Sequence, residues 1–381
     1  MLMKRTENSL ISKWWLGVDK SILLSVLALI VFGVFMVWST ATYSARRAGL
    51  NEMFYINKMF WYVPLGVVIM FVMSCVRTRW LRYGSLIAFP ILTLMMISTM
   101  FFSEVKGARR WISLAGGVKI QPSELMKPVF VIVVAMIISR IKDLHNGGSI
   151  IDIWKNNKRE RNYIVLLCLM FAMFTGILLG IQKDFGMTVT YAVIFISEIF
   201  VAGLSWFWIS AFGIMALCGG IAVLCFVPHV VARLQTFMSD DSYQLTKSLN
   251  AIKESNLFLG GHSNNLKTLI PDVHTDFIFA GIVEELTPIV AALLIAVFYV
   301  LIAHILSVTK TRKNGFVRCS VIGITAYIAF QIMINILSTL GILPTKGMTL
   351  PFISYGGSSF LSSCIAVGII LSLLQEQNLR R

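Results

Sequence analysis

The segment SILLSVLALIVFGVFMVWS, residues 21–39, contains no charged side chain. A helix needs about 20 mostly apolar residues to cross the hydrocarbon core of a bilayer, so this segment predicts a membrane-spanning helix. The residues before it, Met1–Lys20, are polar and basic, and no small-residue cleavage site follows it. We therefore interpret it as a retained first helix rather than as a signal peptide.

Nine further stretches of the chain have the same apolar character. The ten candidate spans are Ser21–Ser39, Met59–Cys75, Tyr83–Phe102, Leu125–Ile141, Tyr163–Ile181, Met187–Ala202, Trp206–Val227, Phe277–Leu306, Val317–Ile342 and Phe360–Leu374. The eighth is longer than one crossing requires, which predicts either a tilted helix or a partly buried helix leading into the span. The pattern predicts an all-α, polytopic integral membrane protein with about ten transmembrane helices.

Composition and charge support this class and indicate an orientation. Of the 381 residues, 57% are hydrophobic and 13% are charged, whereas soluble domains carry about 25% charged residues. The net charge of +15 is explained by basic cytoplasmic loops, and no nucleic-acid motif accompanies it, so no nucleic-acid partner is expected. Basic clusters at 77–82, 155–161, 310–313 and 380–381 place these segments and both termini in the cytoplasm.

We expect a single transmembrane domain over residues 1–381. Residues 1–20 form a cytoplasmic N-terminal segment and residues 375–381 a cytoplasmic tail. Residues 228–276 form a large extracytoplasmic loop between helices 7 and 8, and a connection of that length is usually functional or disordered. The six cysteines lack the spacing of a metal or redox site.

Four polar segments interrupt the apolar pattern on the outer face. In the first, Arg109 and Arg110 offer guanidinium groups that match phosphate oxygens, although anchoring to lipid headgroups is an equally good explanation for this pair. Glu124 and Lys127 lie three residues apart, so on a helix they share a face and can pair. A carboxylate that enters a span costs about 2.5–3.5 kcal/mol on insertion scales, which favours a functional role for Glu124.

The second and third segments contain acidic residues. Asp184 lies in the turn Gln182–Gly186, where a polar hairpin between two helices is at least as good an interpretation as a catalytic role. Asp276 begins an apolar run, and restricted solvation there makes an ionised carboxylate a stronger base. Asp276 could instead cap a helix, but its neighbours could do so equally well, and we favour function. His274 is a weaker candidate.

The fourth segment, residues 344–359, reads PTKGMTLPFISYGGSS. Its glycines and serines precede the last span and offer backbone N–H groups and hydroxyls to an anion, and Lys346 adds a positive charge. A flexible turn before the helix is the alternative. Together the four segments suit a substrate with a lipid tail, a phosphate-rich head and a hydroxyl that must lose its proton.

Several of these segments resemble the SEDS family (shape, elongation, division and sporulation) of bacterial cell-wall polymerases over nearly the whole chain. The motifs that carry the resemblance are GARRWI (107–112), QPSELMK (121–127), YQLTKSL (243–249), HTDFIFA (274–280) and PTKGMTLPFISYGGSS (344–359). The last motif is more similar to the division-type, FtsW-like branch than to the elongation-type, RodA-like branch.

The resemblance implies a peptidoglycan glycosyltransferase that polymerises lipid II, with inversion at the anomeric carbon and Asp276 as the proposed general base. Arg109, Arg110 and Lys346 are candidates for neutralising the pyrophosphate. The full set of substrate-binding candidates is Arg109, Arg110, Glu124, Lys127, Lys346, Ser354 and Ser358, with Arg233, His274 and Asp184 as further candidates. Mg²⁺ or Mn²⁺ could assist by binding one carboxylate and substrate phosphates, and no metal ligands are assigned.

The expected partners are lipid II, membrane lipids, a class B penicillin-binding protein that supplies transpeptidase activity, and other division-machinery proteins. The expected location is the bacterial cytoplasmic (inner) membrane at the division septum. Two motifs depart from the family pattern, since QPDxGT reads QKDFGM at 182–187 and EELG reads EELT at 284–287. The alternatives are a lipid II flippase or transporter, an elongation-type polymerase, and a non-catalytic division scaffold.

Overall fold

The computed structural model describes residues 10–104, 108–113, 119–144, 158–203, 243–255, 270, 272–344 and 347–378. Most of these residues are helical. The helices are α1 (Leu10–Gly17), α2 (Lys20–Arg47), α3 (Phe54–Cys75), α4 (Thr78–Ser98), α5 (Pro122–Leu144), α6 (Lys158–Gly176), α7 (Phe185–Val201), α8 (Tyr243–Glu254), α9 (Ile278–Glu285), α10 (Pro288–Lys310), α11 (Gly315–Thr339) and α12 (Gly357–Asn378). A 3₁₀ turn (Thr99–Phe101) extends α4 and a π turn (Ile177–Ile181) extends α6. Strands β1 (Ile112–Ser113) and β2 (Lys119–Ile120) pair antiparallel before α5.

The all-α membrane fold is confirmed. Among the described residues, seven helices are long and apolar enough to cross a membrane, namely α2, α3, α4, α6, α10, α11 and α12 with their extensions. Helix α7 is apolar but shorter, at 17 residues, and α5 covers the predicted fourth span. The predicted seventh span, Trp206–Val227, lies outside the described residues, so the total of ten stays a prediction.

The overlong eighth span consists of two helices, as the second of our two interpretations predicted. Helix α9 ends at Glu285 and α10 begins at Pro288. A proline disfavours helical geometry at the residue before it, and Thr287 is extended there, with φ −178°. The Thr287 hydroxyl then accepts a hydrogen bond from the Val290 backbone N–H at 3.2 Å and caps α10.

Helices α11 and α12 lie at the centre of the bundle. Helix α12 packs along α3 and against α5, while α11 packs against α5, α7 and α10. Helices α3 and α4 are peripheral and expose large apolar side chains such as Phe60, Trp61 and Leu94. In water such exposure would be unfavourable, but lipid is an equally apolar environment.

Successive spans alternate in direction, which gives the bundle two chemically different ends. One end, here the basic end, contains the start of α4 and the end of α10, with Arg77, Arg79, Lys310 and Lys313. The opposite end, here the site end, contains the starts of α3, α5, α7 and α12 and the segment before α9. Most of the predicted functional residues that the structure describes lie at the site end.

Candidate active site

Asp276 lies in the turn that leads into α9, and its side chain is half-buried. The Asn335 side-chain amide holds this turn, because its Nδ2 donates to the Asp276 carbonyl at 2.9 Å and to the Met348 carbonyl at 2.6 Å. Asn335 is fully buried on α11. One amide therefore joins the Asp276 segment to the segment that precedes α12, and the backbone positions of both are fixed by a central helix.

The Asp276 carboxylate faces the backbone of Gly347. Gly347 has φ +65°, and a Cβ placed on it would lie 3.2 Å from the Asp276 Oδ2. Left-handed backbone of this kind favours glycine, so the approach of main chain to carboxylate depends on this residue. Lys346, the preceding residue and a predicted phosphate ligand, lies outside the described residues, as does Arg233.

Ser354 links the same two segments through hydrogen bonds of its side chain. Its hydroxyl donates to the Thr275 carbonyl at 2.6 Å and accepts from the Leu350 N–H at 2.8 Å. The Tyr355 N–H adds a bond to the His274 carbonyl at 2.9 Å. The Ser354 hydroxyl is thus bonded within the protein beside Asp276, and its predicted contact with substrate stays a prediction.

His274 is buried and surrounded by aromatic rings. Its ring lies 4.3 Å from that of Tyr55 and 5.5 Å from that of Tyr355, measured between centroids. Burial lowers the pKa of His274 from 6.5 to about 4, although the neighbouring Asp272 opposes this shift. His274 is therefore neutral at pH 7. Burial also disfavours the charged form of the Tyr355 phenol, and so raises its pKa.

Glu124 and Lys127 form the ion pair that their spacing predicted. The Lys127 Nζ lies 2.5 Å from the Glu124 Oε2, and the Lys127 side chain is 1% exposed. The ammonium group also lies 5.3 Å from the centre of the Tyr327 ring on α11. The pair is enclosed by helices at the entry of α5, so its role as a direct substrate ligand stays a prediction.

Ser358 connects the start of α12 to the start of α5. The Ser358 hydroxyl accepts a hydrogen bond from the Gln121 N–H at 3.0 Å, and the Ser362 hydroxyl, one turn later, donates to the Glu124 carbonyl at 2.6 Å. Thr349 and Ser359 share a further bond at 2.7 Å. The serine-rich start of α12 therefore joins the Glu124 region to the Asp276 region.

Arg110 and Asp184 form an ion pair, with 3.1 Å between the Arg110 Nε and the Asp184 Oδ2. Asp184 is buried and also caps α7, since its carboxylate accepts from the Met187 N–H at 3.0 Å. Arg109 is different, because its side chain is 45% exposed and its Nε lies 3.6 Å from the Glu104 carboxylate. The two adjacent arginines are thus held in different environments.

The comparisons with known proteins agree with this architecture. The model of the FtsW/RodA/SpoVE family, described as "Cell cycle protein", matches residues 19–379. The chain belongs to this family. The predicted resemblance to the SEDS polymerases is therefore confirmed.

Two curated members of the family are similar over nearly their full length. A protein of Caulobacter vibrioides named "Probable peptidoglycan glycosyltransferase FtsW" is 30% identical over 379 residues, which cover 98% of this chain and 93% of that protein. A protein of Coxiella burnetii with the same name is 32% identical over 375 residues, which cover 94% and 96% of the two chains. The family model, which matches residues 19–379, spans the positions of all the motifs discussed above.

Two solved structures have the same fold. One, described as "Structural coordination of polymerization and crosslinking by a peptidoglycan synthase complex", is 22% identical with a TM-score of 0.77, covering 95% of this chain and 99% of that chain. The Thermus thermophilus rod shape determining protein RodA is also 22% identical, with a TM-score of 0.68 and coverage of 95% and 98%. At this identity the similarity supports the fold.

Sequence reasoning missed three side chains that contribute to the candidate site, namely Asn335, Tyr55 and Tyr355. Asn335 had a usable signal, because an amide within an apolar span requires a hydrogen-bonding partner. The contact between Tyr55 and Tyr355 had no such signal, because the two residues lie far apart in the chain and meet only in the fold, with ring centroids 5.2 Å apart.

Within the described part of the chain, no group of three or more His, Cys, Asp or Glu side chains lies close enough together to hold a metal ion. Asp276 is a half-buried carboxylate that could supply one ligand. Mg²⁺ commonly binds to one or two carboxylates together with substrate phosphates. The residues present fit a metal that arrives with a phosphorylated substrate.

Proposed function

We propose that this chain is a division-type peptidoglycan glycosyltransferase that polymerises lipid II at the outer surface of the cytoplasmic membrane. The observation that carries the proposal is the Asp276 carboxylate, which Asn335 and Gly347 position at the site end of the bundle. The family membership and the names of the relatives, which refer to peptidoglycan, support the proposed substrate class.

In the proposed reaction, Asp276 accepts the proton of the 4-hydroxyl of an acceptor sugar. That oxygen attacks the anomeric carbon of a second lipid II molecule, a new C–O bond forms, and the bond to the pyrophosphate breaks. The electron pair of the broken bond leaves with undecaprenyl pyrophosphate, and the anomeric centre inverts. General base catalysis of this kind typically contributes 10²–10⁴-fold in rate.

The basic residues have separate proposed roles. Arg109 is exposed, lies 3.6 Å from the Glu104 carboxylate and donates to the Met100 carbonyl at 3.2 Å. Exposed contacts of this kind contribute little, so the side chain can reorient toward a phosphate. Arg110 keeps its partner Asp184 and contributes positive potential at the same end. Lys346, the residue before Gly347 in the sequence, is proposed to neutralise the leaving pyrophosphate. A divalent cation, Mg²⁺ or Mn²⁺, would supply further neutralisation of the phosphates.

The family membership supports the proposed location and partners. The chain is a multi-pass membrane protein, and we place it at the division septum with a class B penicillin-binding protein and other division proteins. A similar structure is described as part of a complex that coordinates polymerization and crosslinking. Crosslinking by a partner would complement polymerisation by this chain.

The test compares Asp276→Asn with Asp272→Asn, since both remove a carboxylate from the same turn. Purified protein and its transpeptidase partner receive labelled lipid II with Mg²⁺ or Mn²⁺, and glycan strands are resolved on gels. We expect Asp276→Asn to lose about 10²–10⁴-fold in rate and Asp272→Asn to stay within several-fold of the wild type. Equal polymerisation by wild type and Asp276→Asn would contradict the base role. Translocation of lipid II in vesicles without polymer would instead identify a flippase.

A further inference from the structure

A large cavity opens at the basic end of the bundle, on the opposite side of the membrane from Asp276. It has a volume of about 1170 Å³ and lies mainly between α4, α5 and α6. Its wall also includes Asn314, which caps the start of α11, and Leu373 near the end of α12. Typical small-molecule sites occupy about 300–1,000 Å³, so this cavity can hold a ligand of substantial size.

The mouth of the cavity is cationic. Arg79 and Arg82 on α4 and Arg140 on α5 line it together with Tyr83 and Tyr163. The described side chains that line the cavity include these three arginines and no acidic residue. The Arg82 guanidinium also lies over the Phe316 ring, 4.0 Å from its centroid. Guanidinium groups bind phosphate oxygens in bidentate geometry, and tyrosines are typical of the depth at which headgroups lie.

The interior of the cavity is apolar. Along α4 the lining changes from Arg79 at the mouth to Leu86 and Phe89 further in, and along α6 it changes from Tyr163 to Met173. Each of these stretches contains eleven residues, whose first and last Cα atoms are separated by about 15 Å along the helix axis. A bilayer core is about 30 Å thick, so the cavity extends through one leaflet, from the headgroups toward the midplane.

We propose that this cavity binds an anionic phospholipid of the cytoplasmic leaflet, with its phosphate between Arg79, Arg82 and Arg140 and an acyl chain against the methionines and leucines below. The basic residues at this end of the bundle place the mouth of the cavity at the cytoplasmic face of the membrane. Arginines that merely face bulk headgroups would not need an apolar cavity beneath them. This site is separate from the proposed polymerase site, and its occupancy is measured without any turnover.

The chain offers a matched charge control for the test. The pocket variant replaces Arg79, Arg82 and Arg140 with glutamine. The control variant replaces Arg77, Lys310 and Lys313 with glutamine. These are three exposed basic residues at the same end of the bundle that do not line the cavity. Both variants lose three positive charges, so both alter the general attraction to anionic membranes equally.

Binding is measured by native mass spectrometry and by the melting temperature in detergent, with phosphatidylglycerol or phosphatidylcholine added. We expect the wild type and the control variant to retain phosphatidylglycerol in preference to phosphatidylcholine. The pocket variant should bind phosphatidylglycerol at least tenfold more weakly. Equal loss in the control variant, or unchanged binding in the pocket variant, would overturn the proposal.

Two further arms separate a lipid site from a simple anion site. Met136→Trp and Leu169→Trp each place a large ring in the apolar part of the cavity and leave the arginines intact. We expect each variant to weaken phosphatidylglycerol binding severalfold while melting within a few degrees of the wild type. Glycerol phosphate and inorganic phosphate should stabilise the wild type much less than the lipid. Stabilisation by inorganic phosphate equal to that by lipid, or full lipid binding in both tryptophan variants, would refute the acyl-chain site.

Discussion

Asp184 has two structural roles at the site end, and they can be separated by substitution. Its carboxylate caps α7 at Met187 and pairs with Arg110. Asparagine preserves the cap but not the charge, whereas alanine removes both. We expect melting temperatures in detergent to decrease in the order wild type, Asp184→Asn, Asp184→Ala. Between the two variants, the lost cap should lower the free energy of unfolding by about 1 kcal/mol.

The matching arginine variants test the same pair from the other side. Arg110→Gln leaves the buried Asp184 carboxylate without its ion-pair partner, which is costly in a buried site. Arg109→Gln changes an exposed residue whose pair with Glu104 spans 3.6 Å, and exposed pairs contribute little. Equal destabilisation by the two arginine variants would contradict the assignment.

His274 makes the stability of the site dependent on pH. Burial lowers its pKa to about 4 in the folded protein from an ordinary value of 6.5. Between these two pH values the unfolded chain binds a proton that the folded protein does not. The free energy of unfolding is therefore unaffected by this group above about pH 6.5 and decreases as the pH falls from 6.5 toward 4. The slope approaches about 1.4 kcal/mol per pH unit.

His274→Phe removes this titration and keeps a ring against Tyr55 and Tyr355. We expect the melting temperature of wild type to fall more than that of the variant when the pH is lowered from 7 to 5. Melting temperatures of both proteins at pH 7.5 provide the reference. The same acid-induced decrease in both proteins would show that His274 is not the group responsible.

Local spacing predicted some contacts of the site and not others. The Glu124–Lys127 pair follows from helical geometry alone, because residues three apart share a face. The Arg110–Asp184 pair joins the loop before β1 to the start of α7, and no periodicity relates those elements. Ser354 and Ser358 were recognised as polar residues, but their bonds to Thr275 and Gln121 depend on tertiary packing.

At the level of elements, the break between α9 and α10 determines how the Asp276 turn is presented. Helix α9 is buried on nearly all sides, and it is held against α2, where the Ser39 hydroxyl donates to the Glu285 carboxylate. Apolar character alone predicted one long segment over Phe277–Leu306. Only the Thr287–Pro288 pair carried information about the break, and its geometric consequence depends on how α9 packs.

The double substitution Thr287→Ala with Pro288→Ala would remove both the cap and the restriction on helical geometry. We expect α9 and α10 to become more nearly continuous, which displaces Asp276 and lowers polymerisation at least tenfold. Thr287→Ser retains the capping hydroxyl and should retain activity. Proteolysis and melting in detergent monitor folding. Full activity in the double variant would show that the break does not position the site.

At the level of the whole molecule, the composition and apolar pattern predicted the fold class because lipid exposure requires apolar surface on every peripheral helix. They did not predict which helices are central. Among the seven helices that are long and apolar enough to cross a membrane, α11 and α12 are the most buried, yet their sequences are rich in Ser, Thr, Gln and Asn. Those polar side chains are used inside the bundle, as the bonds of Asn335 and Ser362 show.

A close contact between α2 and the loop that precedes α12 also helps to position the site. A Cβ on Gly33 of α2 would lie 2.6 Å from the Ile353 Cα and 2.6 Å from the Phe352 carbonyl oxygen. Phe352 is buried with φ +67°, a conformation that nonglycine residues rarely adopt. The loop that carries Ser354, and through it the Asp276 turn, is therefore held against α2 only because position 33 lacks a side chain.

Gly33→Ala tests this dependence of the site on a residue that lies outside it. The added methyl must displace backbone rather than a flexible side chain, and overpacking of this kind typically costs about 1–3 kcal/mol. We expect a lower melting temperature and slower lipid II polymerisation, since the loop that holds Thr275 must move. Gly84→Ala is the matched control, because nothing lies within 4 Å of a Cβ at that position, and alanine favours helix there. If Gly33→Ala matched Gly84→Ala in both stability and polymerisation, contact between α2 and the loop would not be what positions Asp276.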